Sequence, residues 1–130
     1  MREVLLAESW IKRAISSLAH AKGIDSDDLV YYEDLCFDCQ QAAEKAIKGV
    51  MILKRISPPR SHNIGYLLDG LVSSGVDVPD ELFVSARLTD YAVTTRYPGT
   101  YEPVNREEYL EAYHLADSVV NWAKGILNSK

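Results

Sequence analysis

Between Tyr32 and Leu53, the residues Tyr32, Cys36, Cys39, Ala43, Ala46, Val50 and Leu53 fall alternately four and three positions apart. That spacing lines them up on one face of a helix. Leu35, Ala42 and Gly49 widen the stripe on one side, and Phe37, Ile47 and Met51 carry apolar surface round the other. So broad an apolar surface predicts a central helix touched by several neighbours. The small residues Ala42, Ala43, Ala46 and Gly49 let those neighbours come close. A glycine inside a helix costs about 1 kcal/mol relative to alanine, so close packing is the expected reason for Gly49. Gln40, Gln41, Glu44, Lys45 and Lys48 make up the polar remainder. The predicted helix runs from about Asp28 to Arg55, roughly 40 Å at 1.5 Å per residue.

The same reading places helices on either side. A first helix covers Arg2 to about Lys22, with Val4, Ala7, Ile11, Ala14, Ile15 and Leu18 facing inward and Gly23 as its stop. After the central helix, Pro58 and Pro59 lack the amide donor a helix needs. Ser61 is positioned to cap a short third helix, His62 to about Val72, with Ile64, Leu67, Leu68 and Leu71 inward. Pro79, followed by Asp80 and Glu81, suits the first turn of a fourth helix running to about Thr95, with Leu82, Ala86 and Val93 as core positions. RYPGTYEPVN, residues 96–105, reads as a loop. Asn105 with Glu108 forms a capping-box pattern, and Val104 with Tyr109 a hydrophobic staple. The last helix spans Arg106 to about Asn128. No segment alternates with period two. The prediction is an all-α, up-and-down antiparallel bundle of four long helices plus one shorter helix, forming a single domain over residues 1–130.

Composition narrows the class. The net charge of −5 opposes non-specific, backbone-driven nucleic-acid binding, which needs surplus Lys and Arg, but leaves room for a local basic patch. No apolar run approaches the roughly 18 residues of a membrane span. The start, MREVLLAESWIKR, has no secretory apolar block. A cytoplasmic protein without membrane contact is expected. Cys36 and Cys39 have C-x-x-C spacing, yet there is no second pair, and both fit the apolar stripe. They read as small core residues rather than metal ligands, and neither a metal site nor a cofactor is expected.

Three stretches together resemble a known family: CFDCQQAAEKAIKGVMI (Cys36 to Ile52), PPRSHNIGYLLDGL (Pro58 to Leu71) and TRYP (Thr95 to Pro98) before a long last helix. In this order they are similar to the HEPN domain, the higher eukaryotes and prokaryotes nucleotide-binding domain, over nearly the whole chain. The resemblance implies a helical bundle, a homodimer, and a nucleotide- or RNA-binding module that partners a small nucleotidyltransferase subunit. The alternative it implies is a metal-independent ribonuclease toxin of a toxin–antitoxin pair. Ribonuclease members carry an Arg followed, after four to six residues, by a His on the late helix. Here Arg106 and His114 are separated by one residue too many, and Arg13 and His20 fit the spacing but lie on the first helix.

Among polar residues, Arg96 and Tyr97 are the first candidates. Arg96 has the geometry to grip a phosphate, and Tyr97 or Tyr101 to stack on a base. Equally, Arg96 suits a helix C-terminus that Pro98 then ends. Arg60 and His62, with Asn63, flank the start of the third helix, where free amides attract anions. The plainer reading is helix entry. Lys45 and Lys48 either join such a patch or sit solvated on the helix surface. His20 and His114 read as rim residues.

Overall fold

The structure, a computed structural model, describes residues 2–22, 30–92 and 103–129. Its regular elements among these residues are all helices: α1 (Arg2–Lys22), α2 (Tyr32–Leu53), α3 (Ile64–Ser73), a 3-10 helix (Asp80–Tyr91) and α4 (Arg106–Asn128). The expected all-helical, five-helix bundle is therefore what forms. No helix among the described residues is long and apolar enough to cross a membrane.

α2 is the central element. Thirteen of its 22 residues are buried, and Cys36, Cys39, Ala43, Ala46, Val50 and Leu53 from the predicted stripe are all among them. Most of this apolar surface is covered by the chain's own helices. Cys36 and Cys39 are free, buried thiols. Burial, with Cys36 and Asp38 adding to it, pushes the Cys39 thiol well above its ordinary value, which keeps it protonated and inert. No cluster of three or more His, Cys, Asp or Glu suited to a metal occurs among the described residues.

Contacts between ends fix the directions. Near one end, the hydroxyl of Tyr109 at the start of α4 donates to the carbonyls of Ala21 (2.6 Å) and Lys22 (2.9 Å) at the end of α1. The Tyr109 ring also stacks on Tyr32, the first residue of α2, with centroids 5.3 Å apart. At the other end Glu3 of α1 lies 3.6 Å from Arg55, just past α2. α1 thus runs opposite to α2 and α4. The segment from Lys54 to Asn63, held open by its two prolines, climbs back along α2. It brings the His62 carbonyl to Gln40 near the helix middle (2.9 Å). α3 then descends beside the second half of α2, where a side chain at Gly70 would meet Met51.

Local signals explain most ends. Asn105 caps α4 with the predicted capping box: its carboxamide oxygen accepts from the Glu108 amide (2.8 Å), and the Glu108 carboxylate accepts from the Asn105 amide (3.1 Å). At α3 the cap is Asn63, not Ser61. Asn63 Oδ1 accepts from the Tyr66 amide at 3.0 Å, and Ser61 Oγ instead accepts from Asn63 N at 3.1 Å. α2 ends in a Schellman pairing, Ile56 N to Met51 O (2.8 Å) and Arg55 N to Ile52 O (3.0 Å), which places Arg55 at φ 62°. Left-handed backbone costs a residue with a Cβ about 1 kcal/mol or more. Arg55→Gly is therefore expected to stabilise the fold by about 0.5 kcal/mol, net of an exposed ion pair with Glu3, readable as a raised urea midpoint.

Two expectations need correction. Ile15 of α1 is 40% exposed, because the buried stripe on α1 is the narrower Ala7, Ile11, Ala14, Leu18 and Ala21. The fourth helix is wound as a 3-10 helix, and its buried residues are Leu82, Ser85 and Leu88. Three residues per turn put positions i, i+3 and i+6 on one line, so Ala86 is only half-buried. Val93 lies outside the described residues.

Candidate functional site

Three polar residues of α2, Gln40, Glu44 and Lys48, are buried, at 0%, 6% and 8% exposure. They are spaced four apart and so form one row along the helix. Ionised carboxylates are almost never buried without partners. Glu44 has three. Its Oε1 accepts from Gln40 Nε2 (3.0 Å) and lies 3.0 Å from His62 Nδ1, and its Oε2 accepts from Lys48 Nζ (3.0 Å). Gln40 Nε2 also donates to the His62 carbonyl, and Gln40 Oε1 accepts from Gln41 Nε2 at 2.8 Å. Among the described residues no buried side-chain polar atom lacks a partner.

Burial by itself raises the Glu44 carboxyl. The hydrogen bonds from Gln40, Lys48 and His62, with the Lys48 charge, outweigh it and hold the group below its ordinary value. Glu44 is therefore an anion at neutral pH and can only accept. It follows that His62 carries a proton on Nδ1, and that neutral His62 presents its Nε2 lone pair outward. The His62 side chain is 68% exposed, so that nitrogen meets solvent. The site is a surface imidazole fixed in orientation and tautomer by a buried, charge-balanced carboxylate.

A depressed carboxyl stabilises the fold fully above its unfolded value of about 4.5 and loses that contribution as pH falls through the lower folded value. Wild type is accordingly expected to lose more stability between pH 5 and about 3 than Glu44→Gln does. Urea midpoints of the two proteins across that range check this.

The sequence candidates separate here. His62 stands in the network, and exposed Arg60 is two residues away on the same connector. The expected free amides at the start of α3 are largely occupied: Ile64 N donates to Thr89 Oγ1 (3.0 Å) and Tyr66 N to Asn63. Lys48 is buried in an ion pair rather than solvated, and Lys45 Nζ donates to Ser17 Oγ at 2.9 Å. Arg96, Tyr97 and Tyr101 lie outside the described residues. Arg106 and His114 are both exposed on α4. In the sequence Glu44 stands out only as part of the polar remainder of α2. Its signal was the Gln-x-x-x-Glu-x-x-x-Lys row, with Glu preceding Lys in the favoured order.

Among known proteins, the HEPN domain family model matches residues 7–126. The fold is similar to the crystal structure of TT1696 from Thermus thermophilus, with a TM-score of 0.76 and 36% identity over 92% of this chain and 96% of that one. It is also similar to ST0689, an archaeal HEPN homologue, with a TM-score of 0.73 and 32% identity over 93% and 97% of the two chains. No curated protein matches the chain.

Proposed function

The chain belongs to the HEPN domain family, and we propose that it is a nucleotide- or RNA-binding module that partners a small nucleotidyltransferase subunit. The observation that carries this reading is the Glu44-held His62 on the connector before α3. An imidazole already locked by a buried partner loses little freedom when a ligand arrives. Once protonated, it donates through Nε2 to a phosphate oxygen while Nδ1 stays bonded to Glu44, and Arg60 on the same connector adds a guanidinium. In this proposal Arg96 contributes a second phosphate contact, Tyr97 a stacking face, and the protein acts in the cytoplasm as a homodimer.

Fluorescence anisotropy with a labelled RNA oligonucleotide tests the binding half. His62→Ala and Arg60→Ala are each expected to weaken binding about tenfold, and Arg60→Ala to reduce the salt slope by about one. Unchanged affinity in both variants would remove this site from the proposal. Gel filtration of the chain mixed with a small nucleotidyltransferase subunit from the same organism tests the other half. A shared peak supports the partnership, and separate elution ends it.

One feature also favours the alternative, a metal-independent ribonuclease toxin. The outward lone pair on neutral His62 Nε2 is what a general base for a ribose 2′-hydroxyl requires. RNA cleavage in EDTA that His62→Ala abolishes is the expected result of that reading. RNA left intact by wild-type protein, or cleavage untouched by alanine at His62 and His114, refutes a histidine-based mechanism.

A further inference from the structure

α1 and α2 leave a groove of about 260 Å³ between them. Its charged and titratable side chains come in two pairs. Because the helices run in opposite directions, Arg13 and Lys45 share one end, and His20 and Asp38 the other. Within each helix the two ends are seven residues apart, two turns or about 10 Å. Between them the walls are low, with Ser16 and Ser17 on α1 and Gln41 on α2.

Neither end is satisfied within one chain. Arg13, His20 and Asp38 form no hydrogen bond or ion pair with a described residue. Lys45 Nζ donates to Ser17 Oγ (2.9 Å), which holds the ammonium in the groove and leaves two of its three N–H groups spare. Asp38 is half-buried. Burial, more than any charge nearby, pushes its carboxyl up, against the pull of His20 and Lys45. His20 thus stands beside Asp38 without supplying the bond that would offset the lost water. One end is a partly desolvated acceptor, and the other carries spare cationic donors.

A small anion would satisfy only the Arg13 and Lys45 end. A second copy turned end for end satisfies both ends at once. A two-fold axis crossing the groove at the level of Ser16, Ser17 and Gln41 sets α1 against α1 and α2 against α2, antiparallel. Asp38 then faces Lys45 of the partner subunit, and by symmetry Lys45 faces Asp38 of the partner subunit. In the same way Arg13 meets His20 of the partner subunit, whose neutral imidazole accepts from the guanidinium. Such a self-complementary patch is what an isologous contact requires. A copy turned about the length of the groove instead would set Arg13 against Lys45, like charge on like charge. The low centre lets the two copies approach, and the half-buried ring of Phe37 adds apolar area at the Asp38 end.

We propose that the α1–α2 groove face is a self-pairing surface on which a second copy of this chain docks antiparallel about Gln41, exchanging two Asp38–Lys45 ion pairs. The inference rests on the homodimer of the proposed function and names the face that forms it. It also sets the seam beside the His62 network: Gln41 Nε2 donates to Gln40 Oε1 (2.8 Å), and Gln40 Nε2 donates to Glu44 and to the His62 carbonyl.

Sedimentation velocity over a concentration series tests it, with circular dichroism as the check that each variant folds. Wild type is expected to form a dimer that added salt weakens. Asp38→Lys and Lys45→Asp each put like charges at both symmetry-related contacts, so each is expected to weaken self-association about a hundredfold or more. An equimolar mixture of these two variants restores opposite charges at both contacts and is expected to form a heterodimer of about wild-type affinity. His20→Arg carries a fixed charge that pairs with Asp38 in its own chain and repels Arg13 of the partner subunit, and it is expected to weaken the dimer about tenfold. A dimer indifferent to both charge reversals overturns this face and leaves the homodimer standing. Folded variants that stay monomeric when mixed overturn the Asp38–Lys45 exchange. A wild-type chain that is monomeric at every concentration overturns the face and the homodimer together, whereas RNA binding stands or falls separately, on the His62→Ala titration.

Discussion

Glu44→Ala is expected to remove about 3–4 kcal/mol of folding stability, because it leaves a buried ammonium with no counter-charge. Lys48 is only 8% exposed and Glu44 6%, and the two are 3.0 Å apart. The cost is not the worth of the ion pair. A buried pair roughly breaks even against apolar groups of similar size, whereas half of one does not. The double variant Glu44→Leu, Lys48→Met is therefore expected to recover most of the loss. His62→Ala alone should cost about 0–1 kcal/mol, since its side chain is 68% exposed and solvent replaces the bond. Urea unfolding of the four proteins checks the series. The melting temperature of Glu44→Ala should fall by about 10 °C or more for a domain of this size. A loss below about 1 kcal/mol in Glu44→Ala would mean that Lys48 reaches water by reorienting its stem. The double variant has a further use. If it folds well but binds RNA as poorly as His62→Ala, then the buried pair is kept for aiming His62 rather than for stability.

The contrast between α2 and its polar row shows what was legible in the chain. The apolar stripe from Cys36 to Leu53 could be read because helical period and burial agree there, and the five helices followed from similar patterns. The α4 start was legible for another reason: a capping box is local, complete within Asn105 to Glu108. The 3-10 helix was harder. Its inward line includes Ser85, whose hydroxyl is satisfied by the Leu82 carbonyl and so tolerates burial. A polar residue at an inward position breaks the hydrophobic signal, and a 3.6-residue period then selects Ala86 instead. Residue type alone puts Glu44 in the polar remainder of α2 and leaves Lys48 either in a basic patch or solvated. What buries them is tertiary: the connector that returns along α2 covers this row and delivers His62, 18 positions away from Glu44. That segment has no periodicity, so nothing local announces where it lies.

Gly49 is the position where substitution should most disturb the helix packing. An added Cβ would sit 2.9 Å from Ile11 Cγ1, 3.2 Å from Trp10 Cβ and 3.3 Å from the Ala7 carbonyl oxygen. Ile11 is 2% exposed and has no space to swing into, and the Ala7 oxygen is backbone, so α1 itself must move. Against this stands the helix-propensity gain of about 1 kcal/mol for Gly→Ala. Overpacking of a close interface costs about 1–3 kcal/mol, more for a branched side chain. Gly49→Ala is thus expected to destabilise by about 1 kcal/mol net, and Gly49→Val by about 3 kcal/mol or more. Gly125 in α4 supplies the control, since a Cβ there meets nothing within 4 Å. Gly125→Ala should stabilise by about 0.5–1 kcal/mol, so the same substitution is expected to change sign between the two helices. A stabilised Gly49→Ala would show that the α1–α2 interface has slack. The movement matters beyond stability, because Ser17 and Arg13 lie on the helix that would be displaced. In Gly49→Val the Lys45–Ser17 bond should lengthen.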